Sequence, residues 1–302
     1  MKKRLVMGLG VALMLLALAV WLEPTGVVLG WINGEAFYRN RPTRYWRKAL
    51  TDSDPKTQKD THEALKGGGR SALPVLAEVL QKDDRAAARW RAADLLGQIG
   101  PEARESSSAL AALTAALRDK DPYVRAVAAG ALASIGPAGP DALPPLRDML
   151  SDGERVPALR ALARYGAEAA PAIPQAIKLL DDDESEVRWN AARTLGKIGP
   201  AAREAVPALV AALKDDDALV REHAAEALGD IGPDAKDSVR ALMAVLQDPD
   251  ARVRRDAVRS LGQIGLGDKS AISAIEPLLK DKDEKVRRAA RTTLLKETGK
   301  AE

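Results

Sequence analysis

Few side chains in this 302-residue chain are of a type and spacing that could do chemistry, and most of those recur at fixed intervals. There are two histidines, His62 in His62-Glu63 and His223 in Glu222-His223, and no cysteine. A metal centre needs several converging ligands, and the two imidazoles are 161 residues apart. Without cysteine there are neither disulfides nor thiolate nucleophiles. The sequence has no Gly-rich phosphate loop, no Ser-His-Asp set and no isolated carboxylate pair. Aspartate runs such as Asp215-Asp216-Asp217 lack the Asp-x-Asp-x-Asp-Gly order of a calcium loop. The expectation is therefore no catalytic, cofactor-binding or metal-binding residue, and a chain that is not an enzyme.

The arginines are more orderly. Arg89, Arg125, Arg155, Arg188, Arg221 and Arg254 each stand eleven positions before a glycine, and Arg287 continues the series. An acidic residue often lies four positions before the arginine, as at Asp121, Glu184, Asp217, Asp250 and Asp283. Such a series could bind phosphate, or it could tie each unit to the next. A residue present in every unit serves what every unit needs, which favours stacking. Trp90 and Trp189 directly follow two of these arginines, where other units carry Ala126, Val156, Glu222, Arg255 and Arg288. A position that accepts Glu and Arg faces water in some units, so each tryptophan is a candidate partner contact. The alternative is that each ring folds against the neighbouring unit.

The elements that position these residues are helices. The marker glycines Gly100, Gly136, Gly166, Gly199, Gly232 and Gly265 are spaced by 36, 30, 33, 33 and 33 residues, the signature of a stacked array. Before them, sets such as Val187, Ala191, Leu195 and Ile198, or Val220, Ala224, Leu228 and Ile231, make one apolar stripe on a helix. The glycine ends that helix in a left-handed conformation. Pro101, Pro137, Pro200 and Pro233 follow and prevent continuation. A second helix then begins, as at Val206–Leu213, and an aspartate run caps the next one.

On the endings Gly97-Gln98-Ile99-Gly100, Ala133-Ser134-Ile135-Gly136, Gly196-Lys197-Ile198-Gly199, Gly229-Asp230-Ile231-Gly232 and Gly262-Gln263-Ile264-Gly265, the sequence resembles the HEAT-repeat family. It is most similar to the short bacterial subtype often named after phycobilisome lyases. The resemblance covers residues 54–297 and implies an α-solenoid whose arginines form a structural Asp–Arg ladder. It implies no activity, because the fold hosts many roles. HEAT-like metal hydroxylases hold iron with several His-Glu pairs, and here only His62-Glu63 has that order. An enzyme or enzyme-accessory factor of lyase-like or metal-dependent type, and a purely structural envelope protein, are the alternatives to a scaffold. Residues 154–166, with Glu154 for the first aliphatic and Tyr165 for isoleucine, and residues 54–69 depart from the pattern.

The chain opens Met1-Lys2-Lys3-Arg4 and runs apolar from Leu5 to Leu22, which as a helix spans roughly 27 Å, close to a bilayer core. This is a signal anchor, or a signal peptide cleaved near Ala17-Leu18-Ala19. The basic start places the N-terminus in the cytoplasm and the repeats outside it, as a single-pass membrane protein or as a secreted or periplasmic one. Residues 1–50 hold eight basic and two acidic side chains, and residues 51–302 hold 38 and 41. The body is thus mildly acidic, which argues against nucleic acid. Residues 251–302 alone are net +5.

The expectation is all-α, an α-solenoid of HEAT-like helical-hairpin repeats in a superhelical stack, preceded by one N-terminal transmembrane helix. Residues 1–22 form the anchor, and 23–53 a juxtamembrane connector with a short capping helix at Pro42–Leu50; its aromatics, Trp31, Phe37, Tyr38, Tyr45 and Trp46, read as a membrane-surface or partner-docking segment, or, for Tyr45 and Trp46, as the cap that closes the end. Residues 54–302 form about seven helix pairs and a final helix, Asp283–Glu297. The expected function is a membrane-tethered protein-interaction scaffold, with no small-molecule substrate.

Overall fold

A computed structural model of the chain describes residues 26–265 and 269–298. The apolar run 5–22 lies outside the described residues, and no described helix is long and apolar enough to cross a membrane. The chain divides into two compact units, one running to Ala138 and one from Gly139 onward.

The N-terminal unit opens with α1 (Val27–Ile32) and a hairpin of β1 (Phe37–Tyr38) and β2 (Arg41–Pro42), paired antiparallel. Arg39 and Asn40 at its tip both have positive φ, 48° and 54°, as a two-residue hairpin turn of the primed type requires. Then come α2 (Thr43–Leu50), α3 (Pro55–Lys66), α4 (Leu73–Lys82), α5 (Ala86–Ile99), α6 (Pro101–Arg104), α7 (Ser107–Ala116) and α8 (Pro122–Ile135). The segment expected as a connector is bonded into this unit. The Glu78 carboxylate of α4 accepts from the Ala36 amide at 2.7 Å and from the Thr43 hydroxyl at 2.6 Å. Tyr38 donates to the Ala64 carbonyl at 2.9 Å, and the Trp46 indole donates to the Tyr38 carbonyl at 3.2 Å. Trp46 is buried, while Tyr45 lies edge-on against it and stays exposed.

The C-terminal unit comprises α9 (Leu143–Asp148), α10 (Arg155–Leu162), α11 (Ile173–Lys178), α12 (Ser185–Ile198), α13 (Val206–Ala212), α14 (Ala218–Ile231), α15 (Val239–Ala244), α16 (Ala251–Ile264), α17 (Lys269–Ile275) and α18 (Glu284–Thr298). Long helices α12, α14, α16 and α18 pack in succession, with the short helices in a second layer against them. The stripes Val187-Ala191-Leu195-Ile198, Val220-Ala224-Leu228-Ile231 and Val253-Ala257-Leu261-Ile264 are all buried. The short helices are entered through 3-10 stretches such as Gly199–Ala205. The departing unit at 154–166 forms α10, eight residues long against fourteen in α12, α14 and α16.

Each Gly-x-Ile-Gly ending uses its two glycines differently. Gly199 has φ 74° and ψ −142°, which corrects the left-handed conformation expected from the sequence. The ring of Pro200 excludes α-type ψ at the residue before it, so the backbone turns extended with φ still positive, a region open essentially only to glycine. Gly196 is a packing residue, since a Cβ there would lie 2.8 Å from the Cα of Ala227 on α14.

Candidate interaction surface

The arginine series is held by a repeated geometry. Arg221 on α14 donates through Nε and Nη2 to both carboxylate oxygens of Asp248, at 2.8 and 3.0 Å. Its Nη1 donates to the carbonyls of Asp215 and Asp216. Arg188 does the same with Asp215, Arg254 with Asp281, and Arg89 with Asp119 in the N-terminal unit. Arg155 reaches Asp182 and also Glu184. Arg125 and Arg287 donate through Nη1 to the carbonyls of Asp119 and Asp281. The guanidinium fork matches the carboxylate, and burial strengthens the pair. Side chains of Arg254 and Asp281 are only 6 % and 8 % exposed.

The aspartate that meets Arg89, Arg155, Arg188, Arg221 or Arg254 lies six positions before the next arginine of the series, and only Arg155 also meets an acid at minus four. The acids at minus four have another task. Asp121, Asp217, Asp250 and Asp283 accept amide protons of the first helical turn, which caps the helix. The ladder aspartate also accepts from the amide at minus four, as Asp248 does from Asp250 at 2.9 Å. One aspartate therefore shapes its own loop, takes the preceding arginine on its carboxylate and gives its carbonyl to its own arginine.

The same pattern identifies the ladder's first rung, which the spacing of arginines misses. Asp52 accepts from the Asp54 amide, and Gln58, six residues after Asp52, donates to its carbonyl. Glutamine cannot reach onward as a fork, and Arg47 of α2 supplies Asp83 instead at 2.7 Å. The hydrogen bonds from Arg85 and Arg47 outweigh the effect of burial, which alone would push Asp83 up, and hold its carboxyl down at about 2. Asp119 and Asp215 are held low in the same way, by Arg89 and Arg188 against burial.

Because the ladder arginines are engaged inside the stack, the surface lies one residue on. Trp90 is half-buried, edge-on to Tyr123 of α8 at 5.4 Å, with the Arg91 guanidinium 4.5 Å over its ring. Trp189, also half-buried, stacks on the His223 ring at 5.3 Å and has the Arg160 guanidinium 5.6 Å away. Each ring thus meets the neighbouring long helix along one face or edge, and Tyr123 beside Trp90 is 57 % exposed. At the same position further along, Glu222 pairs with Arg252 and Arg255. Arg259 on α16 and Arg288 and Arg291 on α18 are exposed, a basic end to the C-terminal unit.

The histidines fall in different units. His62 Nε2 lies 3.2 Å from the Gln98 side-chain oxygen, beside a hollow of about 300 Å³ lined by Leu50, Gln58 and Arg91. His223 Nδ1 is 3.1 Å from Glu226, and that hydrogen bond, with Lys197 adding to it, takes the Glu226 carboxyl to about 2. Among the described residues, no three His, Cys, Asp or Glu side chains are grouped so as to hold a metal ion.

A family model described as HEAT repeats matches residues 73–163, 154–229 and 206–296. The fold is similar to a crystal structure of an engineered protein from the Northeast Structural Genomics Consortium, at 27 % identity and TM-score 0.63, covering 86 % of this chain and 79 % of that one. Two further engineered proteins from that consortium match at 25 % and 26 % identity with TM-scores of 0.40 and 0.43, over 85 % of this chain and 96 % and 99 % of theirs. No curated protein sequence matches the chain.

Proposed function

The chain belongs to the HEAT-repeat family, and from that premise we propose that it is a non-catalytic scaffold that binds a protein partner along its long-helix faces. The observation that carries the reading is the Trp90–Tyr123–Arg91 cluster. It combines two aromatic rings and a cation, the residue types that dominate binding energy at protein interfaces. Trp189 offers a second such position in the C-terminal unit. The ladder itself is committed to stacking and leaves its arginines little reach to a phosphate. The net acidic body points away from nucleic acid and small anionic substrates.

The proposal extends to the finer assignments. The chain is of the short bacterial subtype and is held in a membrane through residues 5–22, with the N-terminus cytoplasmic and the repeats outside. The basic Lys2-Lys3-Arg4 start and the length of the apolar run support that topology. Proximity labelling from the full-length protein in its own cells tests the scaffold. A defined partner set is expected, and Trp90→Ala with Trp189→Ala should deplete it while the cooperative thermal transition is kept. An undiminished set in that variant would remove the tryptophans from the interface, and the absence of any defined set would favour a purely structural envelope protein.

A further inference from the structure

Half of the exposed large hydrophobic side chains among the described residues fall within one six-residue helix. Trp31 is 79 % exposed, Ile32 69 % and Val28 40 %, and all three are on α1. Scattered apolar residues on a surface need no explanation, but a cluster of this kind marks a site of interaction. The helix is docked onto the unit by its other side. Gly30 is buried, and a Cβ there would fall 2.4 Å from Pro42 and 3.1 Å from Phe37, so α1 is seated directly on the hairpin. Glu35, just after the helix, bonds the backbone and guanidinium of Arg44 at 2.8 and 2.7 Å. The exposed side chains are therefore carried on a fixed platform. From Gly26 to Gly34 no residue is charged.

We infer that Val28, Trp31 and Ile32 of α1 rest in the interfacial layer of the lipid bilayer, laying the first unit against the membrane surface. The inference rests on the proposed anchoring through residues 5–22. Only Glu23, Pro24, Thr25 and Gly26 separate that run from α1, and four residues reach no more than about 14 Å. A chain leaving the bilayer core at Leu22 holds α1 within the headgroup region, where an indole with adjacent aliphatic side chains partitions well. Gly26, with φ 66° and ψ 10°, takes the left-handed conformation immediately before the helix. No partner protein is needed to cover the patch, since lipid is already within reach.

The absence of native cysteine makes single-cysteine labelling clean. Full-length Ile32→Cys, Leu15→Cys and Lys59→Cys are each labelled with an environment-sensitive fluorophore. They are reconstituted in vesicles of phosphatidylcholine and phosphatidylglycerol, with and without chain-brominated lipid. Lys59 has a side chain 75 % exposed on α3 and reports the aqueous side. The expected result is a blue shift and a loss of about half of the emission for the Ile32→Cys label with shallow-brominated lipid. The Leu15→Cys label should respond to deep-brominated lipid and the Lys59→Cys label to neither. Quenching at Leu15→Cys with Ile32→Cys behaving like Lys59→Cys overturns the inference and leaves the anchor standing. An Ile32→Cys label shielded from aqueous iodide but untouched by brominated lipid also overturns it, because protein would then cover α1. If neither Leu15→Cys nor Ile32→Cys is quenched, the anchor fails and the inference falls with it.

Discussion

Replacing Arg221 with alanine tests whether the ladder holds the stack. The substitution removes two charge-assisted hydrogen bonds to Asp248, at 2.8 and 3.0 Å, and two donors to the carbonyls of Asp215 and Asp216. Asp248, whose side chain is 6 % exposed, keeps the Asp250 amide as its donor but loses its counter-charge. Removing one partner of a buried pair costs ~3–5 kcal/mol, and the 14 % exposure of Arg221 lets some water in, so about 2–4 kcal/mol is expected. Arg221→Lys keeps the charge but not the fork and should recover less than half of that loss. Arg287→Ala is the internal comparison. Among the described residues Arg287 meets only the carbonyls of Asp281 and Lys282, so its loss should cost no more than about 1 kcal/mol. Urea unfolding gives the magnitudes, and hydrogen exchange places the damage at α14 and α16. A loss at Arg221 below about 0.5 kcal/mol, or equal losses at Arg221 and Arg287, would refute the ladder as the stacking element.

Two further outcomes follow from the same geometry. Gly196→Ala would gain ~1 kcal/mol on an open helix, but its Cβ would meet the Ala227 backbone at 2.8 Å, so a net loss of about 1–2 kcal/mol is expected in thermal unfolding, and a gain would contradict the close approach. Asp83, Asp250 and Glu226 are held at about 2, below their unfolded values, so the stability they contribute is complete above the ordinary carboxylate range and is lost as pH falls through about 4 to 2; a urea midpoint flat across that window would refute this.

The helices were legible because sets such as Val187, Ala191, Leu195 and Ile198 recur at helical spacing and a glycine, in four units followed by proline, closes each run. The alternation of two helices per unit follows from that. The ladder arginines could be counted, but their partners could not be assigned. Two acids, at minus four and minus six, precede Arg125, Arg188, Arg221, Arg254 and Arg287, and only the backbone turn decides which one faces the preceding arginine. Gln58 hid the first rung because its rank depends on the carbonyl it meets, not on residue type. The bonds that tie the expected connector into the first unit were hidden for a related reason. Nothing local in Glu35–Trp46 signals that Glu78, some forty residues on, will bond the Ala36 amide and the Thr43 hydroxyl. Trp90 and Trp189 were singled out as candidates by comparing equivalent positions, while the ring of His223 against Trp189 needed the relative placement of two helices.

The doubly engaged aspartates also bear on how the C-terminal unit would respond to mechanical load. Asp182, Asp215, Asp248 and Asp281 each bind one arginine by the side chain and the next by the backbone, so every link shares a residue with its neighbour. Tension applied across such a linkage cannot open one joint in the middle without loosening the joints on either side. Loss of any one joint should therefore be felt first by the repeats on either side of it, so that load is spread along the series rather than held at a single rung.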